Sequence, residues 1–160
     1  MSSEVPIING LTDNSHPCQI MADLMTLQEK YKDINNLVIT WIGDGNNVCN
    51  SWIHSCYHFD FEFRICCPDG YFPKNDEIKK IQKMGKKINL FNDPKSSIEG
   101  CDVVVTDTWV SMGMKDEEER ISVFKNYQVD KKLMSYANKD SSFLHCLPAH
   151  RGFEVAKEVI

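Results

Sequence analysis

The chain has 160 residues, 42% of them hydrophobic and 26% charged, with a formal net charge of −5. That length supports one domain with a real core, and the composition is that of an ordinary globular protein. The acidic balance argues against nucleic-acid or anionic-membrane partners, and no apolar run approaches the ~20 residues that span a bilayer.

Residues 1–15 read as an irregular entry segment, with Pro6 and Asn9-Gly10 as turn signals and no basic, apolar leader after Met1. A helix is predicted from Pro17 to about Tyr31, because proline suits a first helical position and Ile20, Leu24 and Leu27 share a face. Leu37 to Ile42 is a continuous β-prone run, hence a buried strand. Gly43 to Asn47 turns the chain, and Val48 to Phe59 follows as a helix. Phe61 to Cys67 is the second strand, closed by Pro68-Asp69-Gly70. Asn75 to Met84 is an amphipathic helix, stopped by Gly85. Its lysines, Lys79, Lys80 and Lys83, with Lys86 and Lys87 beyond, form a solvated face without interleaved aromatics. Ile88 to Phe91 is a short strand. Asn92-Asp93-Pro94 opens a short helix that ends at Gly100. Asp102 to Thr106 is the fourth strand. Asp116 to Tyr127 reads as a charged surface helix. Asp130 caps another, and Ser142 to Cys146 is the last strand.

Strands alternating with helices imply right-handed crossovers. The expected fold is α/β: a three-layer, Rossmann-like parallel sheet with helices on both faces and strand order 3-2-1-4-5. A single domain over residues 1–160 is expected. Strand order then reverses between the first and fourth strands, and ligands of such sheets bind beside that reversal at the carboxyl edge. Three polar clusters end strands there: Gly43-Asp44-Gly45-Asn46-Asn47, Asp107-Thr108-Trp109-Val110-Ser111-Met112-Gly113, and His145-Cys146-Leu147-Pro148. They put Asn47, Asp107, Ser111 and Cys146 within reach of one small ligand. A carboxylate and a hydroxyl pair with an ammonium; an amide and loop N–H groups pair with a carboxylate. A zwitterionic amino acid fits both.

Other readings of these residues are weaker. The glycines before Val48 start a dinucleotide fingerprint, but Val48 replaces its third glycine and Asp44 puts a negative charge at the pyrophosphate position. His145 and Cys146 are adjacent on a strand, so their side chains are expected on opposite faces and not as a dyad. Seven cysteines without a Cys-x-x-Cys pair fit reduced thiols in an intracellular protein. His54 and His58 share a helix face, but no third metal ligand is evident.

His16-Pro17-Cys18-Gln19 and the three strand-end clusters, the last extended to Ala149-His150-Arg151-Gly152, resemble the ornithine carbamoyltransferases from about Val5 onward. The resemblance implies transfer of a carbamoyl group from carbamoyl phosphate to the side-chain amine of L-ornithine, giving L-citrulline and phosphate. It implies that His16 and Gln19 contact carbamoyl phosphate, and that Asn47, Asp107, Ser111 and Met112 hold the α-amino and α-carboxyl groups of ornithine. Cys146 and Leu147 would line the pocket for the reacting amine, with His16 and Cys146 as the catalytic side chains. The resemblance further implies no metal or organic cofactor, a homotrimer, and a place in the cytoplasm or mitochondrial matrix. The family's phosphate-binding Ser-Thr-Arg-Thr motif is not found, and the arginines are only Arg64, Arg120 and Arg151. The chain is therefore expected to be the carboxy-terminal, ornithine-binding domain without its carbamoyl-phosphate domain, and silent by itself. The alternative is a non-catalytic small-molecule binding or assembly domain of the same fold.

Overall fold

The computed structural model describes residues 5–110 and 116–160. Residues 5–16 carry no helix or strand, and α1 follows over Pro17–Tyr31. Five parallel strands form the sheet: β1 Val38–Ile42, β2 Glu62–Cys66, β3 Ile88–Phe91, β4 Val103–Thr106 and β5 Ser142–His145. Their order is β3-β2-β1-β4-β5, as read from the sequence.

Alternation along each strand divides the core. Ile39, Trp41, Phe63, Ile65, Val103 and Val105 point to one face. There they meet α1, α2 (Asn47–Ser55) and α3 (Asn75–Lys83) through Leu24, Leu27, Trp52, Ile53, Ile78 and Ile81. Ile42, Cys66 and Val104 point to the other face, where Ile98, Phe124, Tyr127 and Val129 cover them. That layer holds α4 (Pro94–Ile98), α5 (Glu117–Phe124) with its 3-10 extension Lys125–Tyr127, and α6 (Lys131–Met134). Central strands buried on both faces explain the continuous apolar runs. Thr40 is fully buried among them, and its hydroxyl donates to the Ser97 carbonyl at 3.0 Å.

Two elements depart from the sequence reading. The helix after the first turn begins at Asn47, because Asn46 is its cap: the Asn46 side chain accepts from the N–H groups of Val48 and Cys49. The helix after β4 is not wholly a surface helix. Arg120 is buried, donating to the Trp109 carbonyl at 2.6 Å and ion-paired with Asp44. Its guanidinium also lies 5.1 Å and 5.2 Å from the ring centres of Tyr71 and Phe124. A charge run hides this residue, because Glu117, Glu118 and Glu119 beside it do face solvent.

All seven cysteines are free; Cys49, Cys56, Cys66, Cys67 and Cys101 are buried. Burial pushes the thiols of Cys56 and Cys66 up to about 12, so they are inert packing groups. Among the described residues, no helix is long and apolar enough to cross a membrane.

Candidate functional site

The site lies at the carboxyl edge of β1, β4 and β5, where the strand order reverses. The turn after β1 is held in place by main-chain bonds. Gly43 donates to the Cys66 carbonyl at 3.0 Å and Gly45 to the Tyr71 carbonyl at 2.8 Å. A Cβ on Gly45 would lie 2.3 Å from the Pro73 nitrogen, so only glycine permits this approach. The turn delivers Asn46 with its Oδ1 on the start of α2. Its Nδ2 is then left to donate to Asp107 Oδ2 at 2.7 Å.

Asp107 follows β4 and is the hub. Its Oδ1 accepts from its neighbour's N–H, that of Thr108, at 2.7 Å and from the Cys146 thiol at 2.9 Å. A carboxylate offers about four acceptor positions. Three are taken by Asn46, Thr108 and Cys146, which fix its plane and leave one position for a donor from a ligand. The Cys146 thiol is held far above its usual range by burial, by the Asp107 charge and by the hydrogen bond it donates there. It is therefore a neutral donor and not a thiolate.

His145 is set by two partners. Its Nδ1 accepts from the Leu147 N–H at 2.9 Å, and its Nε2 lies 3.1 Å from Glu154 Oε1. With Nδ1 an acceptor, Nε2 carries the proton and donates. The same Glu154 oxygen accepts from the His150 N–H at 2.5 Å. Burial alone would raise the Glu154 carboxyl, but these hydrogen bonds together bring it below its usual range. The reason expected for the absence of a His145–Cys146 dyad is corrected. β5 ends at His145, so Cys146 is not held to strand alternation. Donor atoms of Asp107, His145 and Cys146 all lie within 4.8 Å of one another. What prevents a dyad is that both ring nitrogens of His145 are engaged elsewhere, and the thiol already donates to Asp107. The same engagement makes this trio a hydrogen-bonded cluster rather than a set of open metal ligands.

The start of α1 carries the other predicted residues. His16 precedes the helix, its N–H donating to Ser51 Oγ at 2.7 Å. No side-chain capping bond is made by His16, so simple capping does not account for the ring. Its Nδ1 is buried with no partner among the described residues. Gln19 donates from Nε2 to Asp23 Oδ1 at 2.9 Å. Asp23 is close enough to Cys146 for its charge to raise that thiol.

The structure thus brings Asp107 and Cys146 together, with His16 and Gln19 on the α1 side. Asn47 is turned elsewhere, its Nδ2 donating to the Thr12 carbonyl at 2.8 Å. It anchors the entry segment, and Asn46 takes the position beside Asp107. Leu147 is exposed, with a positive φ of 59°. Ser111 and Met112 lie outside the described residues. Sequence reasoning missed Asn46, Asp23 and Glu154. Asn46 carried a signal, since asparagine directly before a helix is a favoured cap.

The family description "Aspartate/ornithine carbamoyltransferase, Asp/Orn binding domain" matches residues 35–160. The chain belongs to the aspartate/ornithine carbamoyltransferase family. An ornithine carbamoyltransferase of Caulobacter vibrioides is 50% identical over 158 residues, covering 99% of this chain and 51% of that protein. The solved ornithine carbamoyltransferase from Pyrococcus furiosus has a TM-score of 0.91 at 41% identity, covering 98% of this chain and 52% of that one. The anabolic enzyme from Campylobacter jejuni gives 0.89 at 40% identity, with 98% and 54% covered. The chain spans about half the length of the curated relatives it matches.

One expectation is overturned by this carbamoyltransferase match. A second family description, "carbamoyl-P binding domain", matches residues 1–29. The chain is therefore not confined to the ornithine-binding domain, and a function limited to that domain is corrected with it. The similarity touches both family domains, over residues 1–29 and 35–160. The matched stretch contains His16 and Gln19. Periodicity concealed the division because it falls at the end of α1, between residues 29 and 35, and the apolar face of α1 packs on the same core as α2 and α3. Arg64 is occupied, by Glu62 and the carbonyls of Ser97 and Glu99.

Proposed function

We propose that this protein transfers the carbamoyl group of carbamoyl phosphate to the side-chain amine of L-ornithine, yielding L-citrulline and phosphate. The observation that carries this reading is the Asp107 hub. It is a carboxylate fixed by three donors, with one acceptor position open, at the sheet edge where such folds bind ligands. The open position suits the α-ammonium of ornithine.

The chemistry matches the donors available. As the amine attacks the carbamoyl carbon, charge grows on the carbonyl oxygen. The His16 ring, which makes no capping bond, is suited to meet it, because a donor aimed at developing charge lowers the barrier. The attacking amine must be neutral, and a partly buried setting beside the neutral Cys146 thiol favours that form. Two substrates held in register gain further from orientation. Free, buried thiols suit the cytoplasm or the mitochondrial matrix.

The test is calorimetric titration with L-ornithine, L-lysine and L-aspartate, paired with a citrulline assay on carbamoyl phosphate and ornithine. Saturable ornithine binding and citrulline formation are expected. Equal heats for L-aspartate and L-ornithine would refute the assignment of ornithine.

Cys146 shapes this pocket and is not a covalent nucleophile, because its thiol is kept protonated beside Asp107. Cys146→Ser keeps a hydroxyl donor for Asp107 and is expected to retain turnover, with loss of no more than about tenfold to a hundredfold. Mass spectrometry of the enzyme during turnover checks it: a carbamoylated Cys146 would contradict this role.

A further inference from the structure

We infer that Asp23 is a positioning residue: it dictates which end of the Gln19 amide faces the ligand, so that the site selects a group bearing an N–H donor. The identity of that group as a carbamoyl amide rests on the transfer reaction proposed above.

Asp23 lies one helical turn after Gln19 on the same face of α1, the spacing at which side chains meet. It is only 8% exposed, yet its hydrogen bond is to the Gln19 amide and not to a cation. Buried carboxylates are uncommon unless paired. An ionised carboxylate only accepts, so Gln19 must turn Nε2 toward Asp23. The other end of the amide, Oε1, is then an acceptor presented away from Asp23. Rotating the amide by half a turn would set Oε1 against the carboxylate. Without Asp23 the two orientations are nearly equivalent in shape, and the amide would offer donor or acceptor alike.

An acceptor in that position complements an NH₂ group. A carbamoyl group has one; an acetyl group has a methyl in its place, with the same shape and no donor. Selection between them is therefore a matter of one hydrogen bond. The groups facing Asp23 are known. Gln19 is on its own helix, His16 lies ahead of that helix and draws the carboxyl down, and Cys146 approaches from beyond β5, next to Asp107. Burial outweighs the first two and pushes the Asp23 carboxyl up to about 6. Below that pH the carboxyl carries a proton, can donate, and no longer holds the amide in one orientation.

The test has a ligand-free arm and a ligand arm, both on the whole chain. In the free protein, the Gln19 side-chain amide resonances, assigned by their loss in Gln19→Met, are followed by NMR from pH 4.5 to 8. They are expected to titrate with a midpoint near 6 in the wild type and to stay flat in Asp23→Asn. In the second arm, carbamoyl phosphate and acetyl phosphate are titrated at pH 7.5. The wild type is expected to favour carbamoyl phosphate roughly tenfold, the worth of one well-made hydrogen bond. Asp23→Asn should bring the ratio near one by weakening carbamoyl phosphate alone. Its melting temperature at pH 7.5 should not fall, because the change removes a buried charge. A merely structural role would lower the melting temperature and leave the ratio alone. A Gln19 amide that does not titrate, or a ratio unchanged in Asp23→Asn, overturns the proposal. A wild type whose amide titrates but which binds both phosphates equally overturns the carbamoyl reading, and the positioning role stands.

Discussion

Arg120→Met is expected to lower the stability of the fold by about 3 kcal/mol, the cost of leaving one partner of a buried ion pair without the other. Arg120 ties three places together. It pairs with Asp44 in the turn after β1, donates to the Trp109 carbonyl at 2.6 Å after β4, and stacks near Tyr71 and Phe124. Methionine keeps much of the aliphatic volume, so a cavity contributes little. What remains is a half-buried Asp44 carboxylate with no counter-charge and a buried Trp109 carbonyl that has lost a donor. Asp44→Asn with Arg120→Met should recover most of the loss, since the costly species is the unpaired charge. The pH dependence has a definite sign. Burial already raises the Asp44 carboxyl, against the pull of Arg120, and losing Arg120 raises it further. A carboxyl raised in the folded state gives up stability as pH rises through its folded pKa. The penalty in Arg120→Met should therefore be larger at pH 8 than at pH 5. Urea unfolding at both values reads this directly. An equal loss at both values would mean that packing, and not the Asp44 charge, carries the effect.

The fold was legible because each strand announces itself as an apolar run and each connection as a helix with an apolar face. Strand order followed from the crossover rule, and the positions of Asp107 and Cys146 followed from strand order. What escaped was set by single-residue detail. Placing a helix start at Val48 instead of Asn47 shifts attention from Asn46 to its neighbour, and only one of the two reaches Asp107. Arg120 and Glu154 are buried charges whose partners are 76 and 9 residues away, and local pattern does not reveal such pairings. Asp23 sits where an amphipathic helix would ordinarily present an apolar residue, between Ile20 and Leu24 on the inward side. A carboxylate on that face is a local rule broken, which is the sequence-level mark of a functional or strained position. The division between the two family domains escaped for the opposite reason: α1, matched to the first domain up to residue 29, packs on the same core as α2 and α3 of the second.

Asp107→Asn is expected to weaken the use of L-ornithine by about 2–4 kcal/mol, as for other charge-assisted contacts that lose one partner. The substitution is nearly isosteric, so the loss is chemical. An asparagine has one carbonyl oxygen in place of two acceptors. Three donors already converge on Asp107, from Asn46, Thr108 and Cys146. The asparagine oxygen cannot serve both sides, and its NH₂ must turn toward either the Asn46 amide or the Cys146 thiol. Either choice sets a donor against a donor, and the ligand ammonium loses its counter-charge. The change should appear in KM for ornithine when the lost contact is made equally in ground and transition states. It should appear in kcat as well when the displaced Cys146 thiol disturbs the pocket for the attacking amine. Carbamoyl phosphate binding should change little, because His16 and Gln19 lie on the α1 side. Steady-state kinetics with each substrate varied in turn separates these outcomes. Unchanged ornithine kinetics in Asp107→Asn would remove this carboxylate from the site and, with it, the observation on which the proposed reaction rests.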